Sequence, residues 1–349
     1  MRLTLGTIGL SLALFACGDD GGGADTDTDG ASDSASTGDS QGSSQSDSNG
    51  SASSTSADPS ASDSLSDSDS DDATGTDESG TDPTIDPTAD PTGGGDEPVL
   101  PAADGACPEF TTGDLDFQPG ETGPRRARVY FDPSTGGGGP LVFWFHGTGG
   151  NAGSSEDALD DLDAIVAMGG MLVMPYADPA AGQFPWHLVL SQNEADLHLM
   201  DEIVGCAAAG PGIDARHIHA AGFSAGGLHA SQAGIRRASY IASTVPISGG
   251  IYDINTPSDA PDQVISSMIF HGGASDNVAG LAFSESSEVF RAAVEARGGY
   301  TLMCNHNNGH QYTSDRHVAF DFMMAHPFGT DPSPFESEGV PSWVPDYCE

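Results

Sequence analysis

Hydrophobic positions divide this 349-residue chain into three unlike stretches. Met1-Arg2 leads into a mostly apolar run, Leu3 to Phe15, too short for a permanent bilayer-spanning helix. Gly18 to about Asp104 is Ser, Asp, Gly and Thr, with no aromatic residue and no hydrophobic period. Such a segment cannot bury enough apolar surface to offset chain entropy. From Cys107 onward, apolar runs alternate with amphipathic stretches, the pattern of a folded domain. The expected organisation is a signal segment over 1–16, a disordered tether over 17–106 and one domain over 107–349.

Within that domain, Phe110 to Phe117 and Arg126 to Phe131 read as opening antiparallel strands, the second alternating polar with apolar. Leu141 to Phe145 and Gly170 to Pro175 are continuous apolar runs, as in strands covered on both faces. Between them, Glu156 to Met168 has helical spacing, with Leu159, Leu162 and Val166 on one face. A second helix is expected over Glu194 to Ala208, packing through Leu197, Met200 and Val204. Arg216 to Ala221 is strand-like, and Leu228 to Arg237 suits a helix. Strands at Ile241–Ile247, Val264–His271 and Tyr300–Asn305 follow, with helices at Phe283–Arg297 and Asp315–Ala325. This alternation predicts an α/β fold, a mainly parallel sheet with helices on both faces. In such sheets ligands meet the carboxyl ends of the strands.

Charge narrows the class of partner. The formal net charge is −42, and no lysine occurs. Of the 52 acidic residues 22 lie in the tether, so the other 30 still face only nine arginines. That balance argues against a nucleic-acid partner, which wants a basic patch. Like charges and the repeat Asp82-Pro83-Thr84, Asp86-Pro87-Thr88, Asp90-Pro91-Thr92 should keep the tether extended. Leu14-Phe15-Ala16-Cys17 resembles a bacterial lipobox, which implies lipidation of Cys17, export and a membrane partner through that anchor. Four further cysteines, Cys107, Cys206, Cys304 and Cys348, allow three disulfide pairings. Cys107 and Cys348 flank the domain, and domain termini often lie close, which favours that pair as a clasp.

The chemistry concentrates at strand ends. Gly222-Phe223-Ser224-Ala225-Gly226 joins a strand to a helix, the turn that exposes a serine as nucleophile. The base must be a histidine. His217 and His219 lie within the preceding strand and read as a packed or solvated pair, and His146 belongs to a Gly-rich turn. His310 follows Gly309 after the last strand and is the candidate base, while His306 to His310 lacks the helix that a metal pair would need. The acid should come between them. Asp276 is favoured and Asp253 is its rival, with Asp259 and Asp262 read as turn residues. Trp186 suits either a pocket wall or a core position.

Taken together, Pro140-Leu141-Val142 into His146-Gly147-Thr148, Ile213 to Ile218 into Gly222 to Gly227, His271-Gly272 with Asp276, and Gly309-His310 carry a resemblance. Over roughly Pro140 to Pro327 the chain resembles the polyhydroxybutyrate depolymerase and feruloyl esterase branch of the α/β-hydrolases. The resemblance implies a serine carboxylic-ester hydrolase with a Ser224, Asp276, His310 triad. It implies an oxyanion hole from the backbone N–H groups of Thr148 and Ala225, with neither metal nor cofactor. Small or aromatic acyl esters, or polyester oligomers, are the implied substrates. The competing readings are a serine peptidase of the prolyl oligopeptidase kind and a non-catalytic surface protein on a hydrolase scaffold.

Overall fold

The computed structural model describes residues 97–154, 162–188, 193–252 and 263–349. The expected signal segment, Cys17, most of the expected tether, the start of the helix expected from Glu156, and Asp253, Asp259 and Asp262 lie outside these residues.

In chain order the elements begin with β1 (Gly113–Phe117), β2 (Arg125–Tyr130), β3 (Leu141–Phe145), α1 (Leu162–Ala167), β4 (Met171–Pro175) and α2 (Ala195–Ala209). There follow β5 (Ile218–Phe223), α3 (Ala225–Arg236), β6 (Ser243–Ile247), β7 (Ser266–His271), and the two-residue strands β8 (Asn277–Val278) and β9 (Leu281–Ala282). The last are α4 (Phe283–Glu295), β10 (Thr301–Asn305), α5 (Val318–Ala325) and α6 (Pro334–Ser337). The β8–β9 pair and α6 were not anticipated from the sequence, since two to four residues are too few to display a period.

Eight strands form one sheet in the order β1-β2-β4-β3-β5-β6-β7-β10. β1, β2 and β4 pair antiparallel, and every pairing from β4 through β10 is parallel. Alternating residues of β3 explain the layering. Leu141, Phe143 and Phe145 enter a core with Met200 and Val204 of α2 and Leu228 of α3. Val142 and Trp144 enter another with Ile165 of α1 and Phe322 of α5. Helices therefore cover both faces, as the unbroken apolar runs require. In α1 the buried residue is Ile165, while Leu162 packs only at the margin.

The cysteines pair differently from the expected clasp. The disulfides are Cys107–Cys206 and Cys304–Cys348, with Cα separations of 5.3 and 4.0 Å. Residues 97–106, expected within the tether, run along the domain: Val99 N donates to Ser239 O, and Asp104 and Gly105 N donate to Glu202. That course brings Cys107 onto α2. The C-terminal residues turn back beside β10, where Met303 and Glu349 exchange both backbone hydrogen bonds, and this sets Cys348 against Cys304. The two chain ends thus attach to different parts of the fold. Among the described residues no helix is long and apolar enough to cross a membrane.

Candidate active site

β5 ends at Phe223 and α3 begins at Ala225, so Ser224 alone makes the turn, with φ 57° and ψ −121°. The turn is that tight because strand and helix touch. A β-carbon on Gly226 would lie 1.9 Å from the Phe145 carbonyl oxygen, so only glycine fits. The sharp backbone lifts the Ser224 side chain off the end of the sheet.

Two further strand ends meet it there. His310, in the loop after β10, brings Nε2 to 2.9 Å from Ser224 Oγ. Its Nδ1 lies 2.7 Å from Asp276 Oδ1, in the loop after β7. A carboxylate only accepts, so Nδ1 carries the proton and Nε2 is left to accept from the serine hydroxyl. Asp276 is 1% exposed. Burial pushes its carboxyl up, but hydrogen bonds from His310, Gly272 N and the Ser248 hydroxyl outweigh this and hold it below the ordinary carboxylate value. Phe283 stacks on the His310 ring at 4.6 Å, and Phe223 lies tilted at 4.9 Å. These rings limit how far the imidazole can turn.

The turn after β3 closes the site from the other side. A β-carbon on Gly147 would come within 3.1 Å of Ser224 Cβ, so His146-Gly147-Thr148 passes directly beside the serine. Thr148 is exposed at that turn, and Ala225 is buried at the start of α3, where helix N–H groups lack intrahelical partners. His146 Nδ1 donates to Gly147 O at 2.9 Å, and burial lowers its basicity. Trp186 is 1% exposed, its Nε1 donates to His146 O at 2.9 Å, and its ring packs against Phe145 and His229. Trp186 is a core residue that braces the turn, the second of its two sequence readings.

The other histidines are engaged elsewhere. His219 is buried, with Nδ1 2.8 Å from Ser243 Oγ and Nε2 3.4 Å from His217 Nδ1. His306 accepts from Asn308 N within its own loop. Among the described residues, Asp178, His187 and Asp196 bring ligand atoms within 4.8 Å of one another. Arg125 already lies between the two carboxylates, 3.3 Å from Asp178 and 2.8 Å from Asp196, and supplies the positive charge a metal would bring. That network pins the segment carrying Trp186 to β2 and α2.

No family model and no curated protein sequence matches the chain. Its likeness is to solved structures. The crystal structure of native pOPH superposes with a TM-score of 0.56 at 17% identity, covering 70% of this chain and 96% of that one. Native sOPH gives 0.57 at 17% identity, again over 70% and 96%. A Bacillus cereus carboxylesterase is more distant, at 0.43 and 20% identity over 57% and 93%. The fold is that of the α/β-hydrolases. In this α/β-hydrolase fold Ser224, Asp276 and His310 occupy the carboxyl ends of β5, β7 and β10.

Three parts of the site were not read from the sequence: Ser248, the packing of Phe283 on His310, and the Arg125 network. Ser248 directly follows β6, and the position after a buried strand is the signal that could have pointed to it.

Proposed function

We propose that the chain is a serine carboxylic-ester hydrolase. The observation that carries the reading is the continuous hydrogen-bond chain from Ser224 Oγ through His310 to the buried carboxylate of Asp276. His310 Nε2 takes the hydroxyl proton as Ser224 Oγ attacks the ester carbonyl carbon, and Asp276 stabilises the imidazolium that results. The N–H groups of Thr148 and Ala225 receive the developing oxyanion. His310 then protonates the departing alkoxide, leaving an acyl-serine. Water, deprotonated by the same nitrogen, attacks this ester in turn, releases the acid and restores the hydroxyl.

Small or aromatic acyl esters, or polyester oligomers, are the substrate classes we propose, in keeping with the resemblance to the depolymerase and feruloyl esterase branch. The described part of the segment after β4 supports this: Arg125 and Asp196 hold it down, and Trp186 is turned inward. The structurally similar pOPH has been crystallised, as a variant, with pNPB. We also propose that the chain is exported and held at the cell envelope through Cys17, the tether bearing the hydrolase domain.

A panel of p-nitrophenyl acetate, butyrate and palmitate beside peptide anilides tests the reading, with Ser224→Ala as control. Hydrolysis of the short esters, lost in the variant, and fluorophosphonate labelling at Ser224 are expected. Turnover of anilides alone would make the chain a peptidase. Labelling at another residue, or no turnover at all, would overturn the reading.

A further inference from the structure

Ser248 takes no direct part in the relay from Ser224 to Asp276, yet it is fully buried and has φ 45°, a left-handed backbone that costs a non-glycine residue energy. Its neighbours hold it there. Ser248 N donates to Phe270 O at 2.8 Å, tying the end of β6 to β7. One residue on, Ser286 Oγ of α4 donates to Gly249 O at 2.6 Å. Next, Gly250 N donates to Ser231 Oγ of α3 at 3.0 Å. Two helices thus grip the loop from two sides.

The conformation so held aims the Ser248 hydroxyl at Asp276 Oδ2, 2.8 Å away. Gly272 N donates to the same oxygen at 2.8 Å. His310 Nδ1 meets the other oxygen, Oδ1. The terminal torsion of an aspartate is broad and nearly two-fold, so a carboxylate held by one donor swings easily. Two donors on one oxygen, arriving from the ends of β6 and β7, remove that freedom.

We infer that Ser248 is a positioning residue: its hydroxyl fixes the rotation of the Asp276 carboxylate so that Oδ1 faces His310. The inference rests on the proposed ester hydrolysis and concerns only how the acid is aimed. A side chain acting in this way works entirely through the carboxylate, whereas one that merely fills space would matter whatever stood at position 276.

The test uses the full chain with Ser248→Ala and Ser248→Gly, the glycine being suited to the left-handed backbone and so protecting against a simple folding failure. On p-nitrophenyl butyrate both variants should lose about 10- to 100-fold in kcat, the scale of a misplaced catalytic group. KM should stay within about twofold, because the substrate does not touch the hydroxyl. In an Asp276→Asn background, the rate of fluorophosphonate labelling at Ser224 should fall no further when Ser248→Gly is added. Unchanged kcat in Ser248→Gly overturns the inference. An equal loss in both backgrounds also overturns it, by making the residue structural. Wild-type protein that hydrolyses no ester would instead sink the ester-hydrolase reading, and the inference with it.

Discussion

Gly272 and Gly309 approach so closely that a β-carbon on Gly272 would lie 1.9 Å from the Gly309 carbonyl oxygen. The contact joins the loop carrying Asp276 to the loop carrying His310, and Gly309 N donates to Gly272 O across it at 3.0 Å. Gly272→Ala must push the loops apart, since the Gly309 atoms its β-carbon meets are all backbone and cannot rotate away. A displacement near 1 Å at a catalytic group costs on the order of 100-fold. We expect kcat on short esters to fall by about that factor with the far-ultraviolet circular dichroism spectrum preserved. Near-normal kcat would mean the loops yield without moving His310.

The role of the acid is separable by substitution. Asp276→Asn keeps the shape but offers an amide where His310 Nδ1–H needs a full carboxylate, so kcat should drop by about four orders of magnitude, as in a serine protease triad. Asp253→Asn should change kcat less than about threefold, a difference too small for loss of a triad member. Steady-state kinetics on p-nitrophenyl butyrate distinguish the two. The reverse ranking would transfer the role to Asp253.

Trp186→Phe preserves most of the ring packing but deletes the bond from Nε1 to His146 O. A buried carbonyl left without its donor costs about 1–3 kcal/mol. The melting temperature should fall accordingly. Because that carbonyl belongs to the turn bearing Thr148, kcat should fall more than KM rises. A variant that is destabilised but fully active would confine Trp186 to packing.

Stability should depend on pH through buried histidines. Burial lowers the pKa of His229 and of His326 to about 4 each. In the unfolded chain both return to about 6.5. Between about pH 4 and 6.5 the unfolded chain therefore binds more protons, and stability falls as pH falls through that window. Each contributes at most about 3 kcal/mol above it. Denaturant unfolding at pH 7 and pH 4.5 measures the slope. His229→Leu should flatten it, and an unchanged slope would show that this imidazole is not the proton acceptor.

Much of the site was legible because its residues follow strands that announce themselves. Leu141–Phe145 and Met171–Pro175 are apolar without a break, as only strands buried on both faces are, and Ser224 and His310 stand where the sheet geometry requires. Asp276 lies against His310, while its rival Asp253 falls outside the described residues, and the sequence left both open because both follow strands. Cystine pairing was not legible. It depends on which sheet edge the returning chain covers, and local pattern carries no information about that. Ser248 and Arg125 were missed for a related reason. A serine after a strand and an arginine in one look ordinary until the partners brought from 28 and 71 positions away are in place.

The disulfides also set a load path. Tension applied at the ends of the described chain crosses from Cys107 to Cys206, runs through the peptide to Cys304, and crosses again to Cys348. β1 to β4 lie inside the first covalent loop, and α5 and α6 inside the second, so none of them is stretched. Between the two bridges, only the chain from Cys206 to Cys304 bears the force. That portion holds Ser224 and Asp276, while His310 sits within the second loop, mechanically shielded. Pulling on this protein would load the stretch that joins serine to acid and the outer strand β10, and leave the β1 edge slack.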